Sequence, residues 1–90
     1  MSTKSKVSEA PQLFIQTGKQ ALAIRNRLAQ NQTEFWSRLA VAQSGGSRFE
    51  SGGNIPHPVQ ILLHLAYAPE AQAQTMLSYI RNMEPKKSGL

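Results

Sequence analysis

Two runs in the second half of the chain set apolar residues one helical turn apart. Val59, Leu62, Leu63 and Ala66 follow i, i+3, i+4, i+7, and Ala73, Met76, Leu77 and Ile80 repeat the spacing. That period lines one stripe of an α-helix and cannot line one face of a strand. Pro58 suits the first turn of the earlier helix. Ile61 and Leu65 widen its stripe, so this helix is expected to be buried almost all round. Pro69 and Glu70 open the later helix, Tyr79 and Met83 run beside its stripe, and Pro85 stops it. A chain of 90 residues holds one small domain and not two.

Upstream, two helix starts are written in the side chains. Thr17 with Gln20, and Asn31 with Glu34, have the capping-box form, in which a short polar side chain and a reciprocal partner satisfy the orphan backbone donors. Ala21, Ile24 and Leu28 predict a helix over about 18–29, and Phe35, Trp36 and Leu39 one over about 32–39. Met1 to Pro11 is polar and expected to be mobile, whereas Leu13, Phe14 and Ile15 are expected to pack on the domain. No strand pattern, internal repeat or long linker is present, and the fold class is all-α.

Between these helices lies "AVAQSGGSRFESGGN", Ala40 to Asn54, with four of the six glycines. Gly45 and Gly46 each disfavour helix by ~1 kcal/mol against Ala, so propensity alone makes this a loop. A phosphate-binding P-loop is excluded, because Gly46 is followed by Ser47 and Arg48 rather than Lys and Ser or Thr. The dinucleotide pattern fails too, since both flanks are helical. A free linker would not carry Val41, Phe49 and Glu50.

The block "NQTEFWSRLAVAQSGGSRFESG", Asn31 to Gly52, resembles the helix-turn-helix of the Xre/Cro/C1-type repressors. Gln32, Val41, Gln43, Ser44, Glu50 and Gly52 fall in that register, and the likeness covers about residues 18–68. "QSGGSRFESGGNIPHPVQILLHLAY" resembles, more narrowly, the small plasmid-encoded KorC-type repressors. The resemblance implies a lambda repressor-like fold of five helices, with the third, from Gln43, as a recognition helix. Small residues on such a helix allow close approach in a major groove only ~12 Å wide. Two positions depart from the pattern: Trp36 stands where Ala is usual and Gly46 where Val or Ile is usual. They are expected to compensate, the indole filling the space above Gly46. Ala40 occupies a turn position where Gly is common, so that turn is expected to be strained or altered.

On a helix from Gln43, residues Gln43, Ser44, Ser47 and Arg48 share a face. Gln can bond adenine through two atoms and Arg can bond guanine O6 and N7, so these four are the groove candidates. Gln32, at a helix N-terminus, is suited to hold a phosphate by side chain and backbone N–H. Asn31 either does the same or only caps; Thr33 and Asn54 are further backbone-contact candidates. His57 either caps the fourth helix or touches phosphate, and His64 borders the core or a dimer contact. The resemblance implies an ion pair between Arg25 and Glu50, the alternative being an exposed Arg25 on phosphate.

Ten Lys and Arg against five acidic residues, a net charge of +5, favour a polyanionic partner. With no cysteine and only two histidines seven apart, no metal site or cofactor is expected. The chain has no aspartate and no Ser–His–acid arrangement, so an enzyme is not expected. No apolar run nears the ~20 residues of a membrane span, and the N-terminus lacks the apolar core of a signal peptide. A soluble cytoplasmic protein with no membrane partner is therefore expected. The expected division is a mobile arm at 1–16, a helix-turn-helix domain at 17–68, a dimerisation helix at 69–84 and a basic tail at 85–90. The expected function is a homodimeric repressor of plasmid or phage genes, bound to a palindromic double-stranded operator, with room for a second regulatory protein. The rivals are a helix-turn-helix antitoxin, whose Met1–Ile15 folds on a toxin, and a module that docks proteins through helix five.

Overall fold

The computed structural model describes residues 10–84. Five helices follow one another: α1 (Gly18–Arg27), α2 (Gln32–Ser37), α3 (Gln43–Glu50), α4 (His57–Tyr67) and α5 (Glu70–Arg81). The described residues contain no strand, and the architecture is all-α as the spacing predicts.

Both capping boxes form. The Thr17 hydroxyl accepts from the Gln20 amide while Gln20 Oε1 accepts from the Thr17 amide, at 3.2 Å each. At α2, Asn31 Oδ1 accepts from the Glu34 amide at 2.8 Å and Glu34 Oε1 from the Asn31 amide at 2.9 Å. The helix ends fall earlier than their apolar periods suggest. Ala29 (φ 57°) and Ala40 (φ 62°) take left-handed backbone, which stops a right-handed helix. Around Ala40 the Ala40 amide donates to the Ser37 carbonyl and the Val41 amide to the Trp36 carbonyl, closing a Schellman turn between α2 and α3. Leu39 is thus a buried turn residue rather than the end of a helix.

The core gathers Ile15, Ala21, Phe35, Trp36, Leu39, Ile55 and Leu63, with Phe14, Ile24, Val41, Phe49, Val59 and Tyr67 packed against it. Phe35 stacks on Tyr67 at 4.2 Å and meets Trp36 edge-on at 5.2 Å, favourable arrangements for ring quadrupoles. The Tyr67 hydroxyl donates to the Phe35 carbonyl at 2.6 Å, tying α4 to α2.

Two expectations need correction. First, α4 is not buried all round: its inner face is Val59, Leu63, His64 and Tyr67, while Leu62 is 41% exposed and Ala66 is exposed. The stripe rotates because His64 can be buried. Its Nδ1 accepts from the Phe14 amide and its Nε2 meets the Gln72 carbonyl, both at 3.0 Å, so the ring is the Nε2–H tautomer. Second, the arm does not run to residue 16: Phe14 and Ile15 pack on the domain as expected, so the folded unit begins before residue 17. Ile15 is fully buried, and Gln60 Nε2 donates to the Gln16 carbonyl at 3.0 Å, so residues 13–16 belong to the domain. Of the expected arm, residues 1–9 lie outside the described residues, as do residues 85–90 of the tail. Helix α5 packs along α4 and buries Met76. Leu77 alone of its predicted stripe stays largely exposed, at 40%.

Candidate nucleic-acid interface

Helix α3 forms against its propensity, and the glycine that weakens it is what lets α2 pack closely against it at position 46. A Cβ there would overlap Cδ1 and Cγ of the Trp36 indole. Trp36 is fully buried and Gly46 is buried beneath it, so the large residue on α2 and the missing one on α3 fill one volume. Gly18 plays the same part at the other end, where a Cβ would overlap the Phe49 carbonyl and fix α1 away from α3. Tertiary contact therefore holds the helix that the backbone alone would not. It ends in a second Schellman turn, with Gly52 at φ 113° and the Gly53 amide on the Arg48 carbonyl at 3.0 Å.

Glu50, the last residue of α3, is the hub of three helices. Arg25 of α1 donates through Nε to Oε2 and through Nη2 to Oε1, both at 2.8 Å. Trp36 Nε1 donates to Oε2 at 2.8 Å and Gln32 Nε2 to Oε1 at 3.0 Å, both from α2. Four N–H donors fill the roughly four acceptor sites of one carboxylate. The Glu50 side chain is 5% exposed and that of Arg25 16%, so this is the partly buried pair that the resemblance implies, not an Arg25 free for phosphate. Burial pushes the Glu50 carboxyl up, but the hydrogen bonds from Arg25, Gln32 and Trp36, with the Arg25 charge, outweigh it and hold the group below the usual carboxylate range.

An ionised carboxylate only accepts, and this orients everything attached to it. Gln32 must turn its NH2 toward Glu50, which leaves its Oε1 to accept from Gln43 Nε2 at 2.6 Å. Gln43 must then present Nε2 to Gln32, and its own Oε1 with one remaining N–H points away from the relay. A buried charge on α3 thereby sets the orientation of an exposed amide two links distant.

The expected site residues fall in four places. Gln43, Ser44 and Arg48 are exposed on α3, and the Ser44 and Arg48 side chains have no hydrogen-bond partner among the described residues; Ser47 is half-buried. The Gln32–Gln43 bond brings the start of α2, with Asn31 and Thr33 exposed beside it, against the start of α3. The Gln32 side chain is taken up by Glu50 and Gln43, so the phosphate expectation passes from its amide group to its backbone N–H. Asn54 is exposed and lines a cleft of about 560 Å³ with Gly52, Gly53 and the start of α1. His57 stands apart. It does not cap α4 by a side-chain bond; its Nδ1 lies 3.3 Å from Gln60 Oε1, and it lines an apolar groove with Leu13, Ile61 and Met76. Sequence reasoning missed the Trp36 bond to Glu50, although a buried indole N–H has to find an acceptor.

Among the described residues no group of three or more His, Cys, Asp or Glu is placed to hold a metal, and no helix is long and apolar enough to cross a membrane. A family model of RsaL-like helix-turn-helix domains matches residues 22–66, half of the chain. The chain belongs to that family. No curated protein and no solved structure matches it.

Proposed function

We propose that this member of the RsaL-like helix-turn-helix family is a sequence-specific repressor that binds double-stranded DNA as a homodimer on a palindromic operator. Membership in the family supports DNA-binding transcription regulation. The observation that carries it is the Gln32–Gln43 relay on the exposed face of α3. Oriented as the relay leaves it, the Gln43 amide offers an acceptor and a donor side by side, the complement of adenine N6–H and N7 in the major groove. Arg48, exposed and without an ion-pair partner among the described residues, suits guanine O6 and N7. Ser44 and Ser47 lie between them. The free amides at the start of α2, with Asn31 and Thr33, suit the adjoining phosphates, and Asn54 suits phosphate beyond the end of α3. Two such faces on a symmetric dimer would read half-sites ~34 Å apart.

Repression would act by occlusion of a promoter, and the KorC-type resemblance points to plasmid or phage genes. The antitoxin alternative drew on Met1–Ile15 folding on a partner. That Ile15 is buried in this chain's own core favours the repressor. Selection of bound sites from random-sequence DNA, at several salt concentrations, tests the proposal. A palindrome should emerge, and Arg48→Ala should relax one base position by about 1–3 kcal/mol. Weak binding of equal strength to all sequences refutes it.

A further inference from the structure

Helix α5 carries a stripe that its packing on α4 does not use. Glu70, Gln74, Leu77 and Arg81 stand at i, i+4, i+7 and i+11, and all four are exposed, Leu77 at 40%. At 100° per residue they fall within about 60° of one another, on the flank of the helix turned away from buried Met76. Neither Glu70 nor Arg81 has an ion-pair partner among the described residues.

The order of these residues makes the stripe complementary to its own reverse. We infer that α5 pairs antiparallel with α5 of a second copy, about a two-fold axis between residues 75 and 76. In that register Glu70 of each copy meets Arg81 of the other, and Leu77 meets the stem of Gln74. A two-fold interface repeats every contact, so one favourable pair supplies two. A parallel pairing would set Glu70 on Glu70 and Arg81 on Arg81. The charges therefore choose the direction and register, and Leu77 against the stem of Gln74, twice, supplies the contact between them. Eleven residues separate the two charges, ~16 Å along the helix, so both ion pairs form together only at a shallow crossing.

This inference rests on the homodimer proposed above and names its interface. A charge swap in the full chain tests it, read as dimer dissociation by sedimentation equilibrium in low salt, with far-ultraviolet circular dichroism to check the fold. Glu70→Arg and Arg81→Glu should each weaken the dimer about tenfold or more, since each places like charges together twice. The double variant E70R/R81E should recover most of the wild-type affinity. Acid at the start and base at the end of a helix also suit its dipole, which the double variant opposes at both ends. Recovery in the double variant therefore cannot come from helix stability. A wild-type chain that stays monomeric overturns both the homodimer and this interface. A wild-type dimer that both single variants leave intact, or that the double variant does not recover, overturns this interface alone.

Discussion

Replacing Glu50 by Gln keeps the size of the side chain and removes one charge, so it isolates what the carboxylate does. In the wild type four N–H groups converge on two oxygens, at 2.8 to 3.0 Å. An amide offers one oxygen, and its NH2 would face two of those donors whichever way it is turned. The Arg25 guanidinium would also lose its counter-charge. Removing one partner of a buried pair costs about 3–5 kcal/mol. The Arg25 side chain keeps 16% exposure and can recover part of its hydration, so the lower end, about 3 kcal/mol, is expected at pH 7. Urea unfolding of both proteins from pH 7 to pH 3 measures this. Because the folded-state value for Glu50 is depressed, its contribution is present above the unfolded value and lost as pH falls through the folded one. The gap between wild type and E50Q should thus be constant near neutrality and begin to close below ~4.3, the ordinary glutamate value. A gap under about 1 kcal/mol at pH 7, below any figure for a broken buried pair, would refute the reasoning, as would a gap unchanged at pH 3.

Two further substitutions test the packing. Trp36→Ala should cost about 3–5 kcal/mol in chemical unfolding, and Gly46→Val alone should also destabilise, because its Cβ overlaps the indole. Together they should cost clearly less than the sum of the two, and strict additivity would show that they do not share one volume. Ala40→Gly should raise the stability by about 0.5–1 kcal/mol, the relief of left-handed strain less the added freedom of the unfolded chain; no change in the melting temperature would place the strain elsewhere.

What the sequence discloses and what it hides follows the range of the interactions. The two capping boxes are legible because their partners lie three residues apart, and both form. Helix α3 is illegible from propensity, since what permits it is an indole ten residues upstream. Only the joint register of Gln32, Val41, Gln43, Glu50 and Gly52 discloses it, and the family match covers that register. The α4 face is misjudged for a related reason. Counting apolar residues favours Leu62 over His64, but the two partners that let His64 be buried are Phe14, 50 residues upstream, and Gln72, eight downstream. The relay from Glu50 through Gln32 to Gln43 is likewise a product of the fold, because only the packed helices bring its three members together.

That relay divides the face of α3 into two kinds of position. Gln43 is bonded inward through Gln32 to a carboxylate that also braces the core, so exchanging it disturbs a chain of oriented groups. Ser44 and Arg48 are exposed, with side chains bonded to nothing among the described residues, and can be exchanged with little effect on the fold. On the proposed reading of α3 as a DNA-reading helix, drift toward a new target sequence would begin at Ser44 and Arg48 and keep Gln43. Under that proposal, related regulators built on this helix would share one base step and differ at its neighbours.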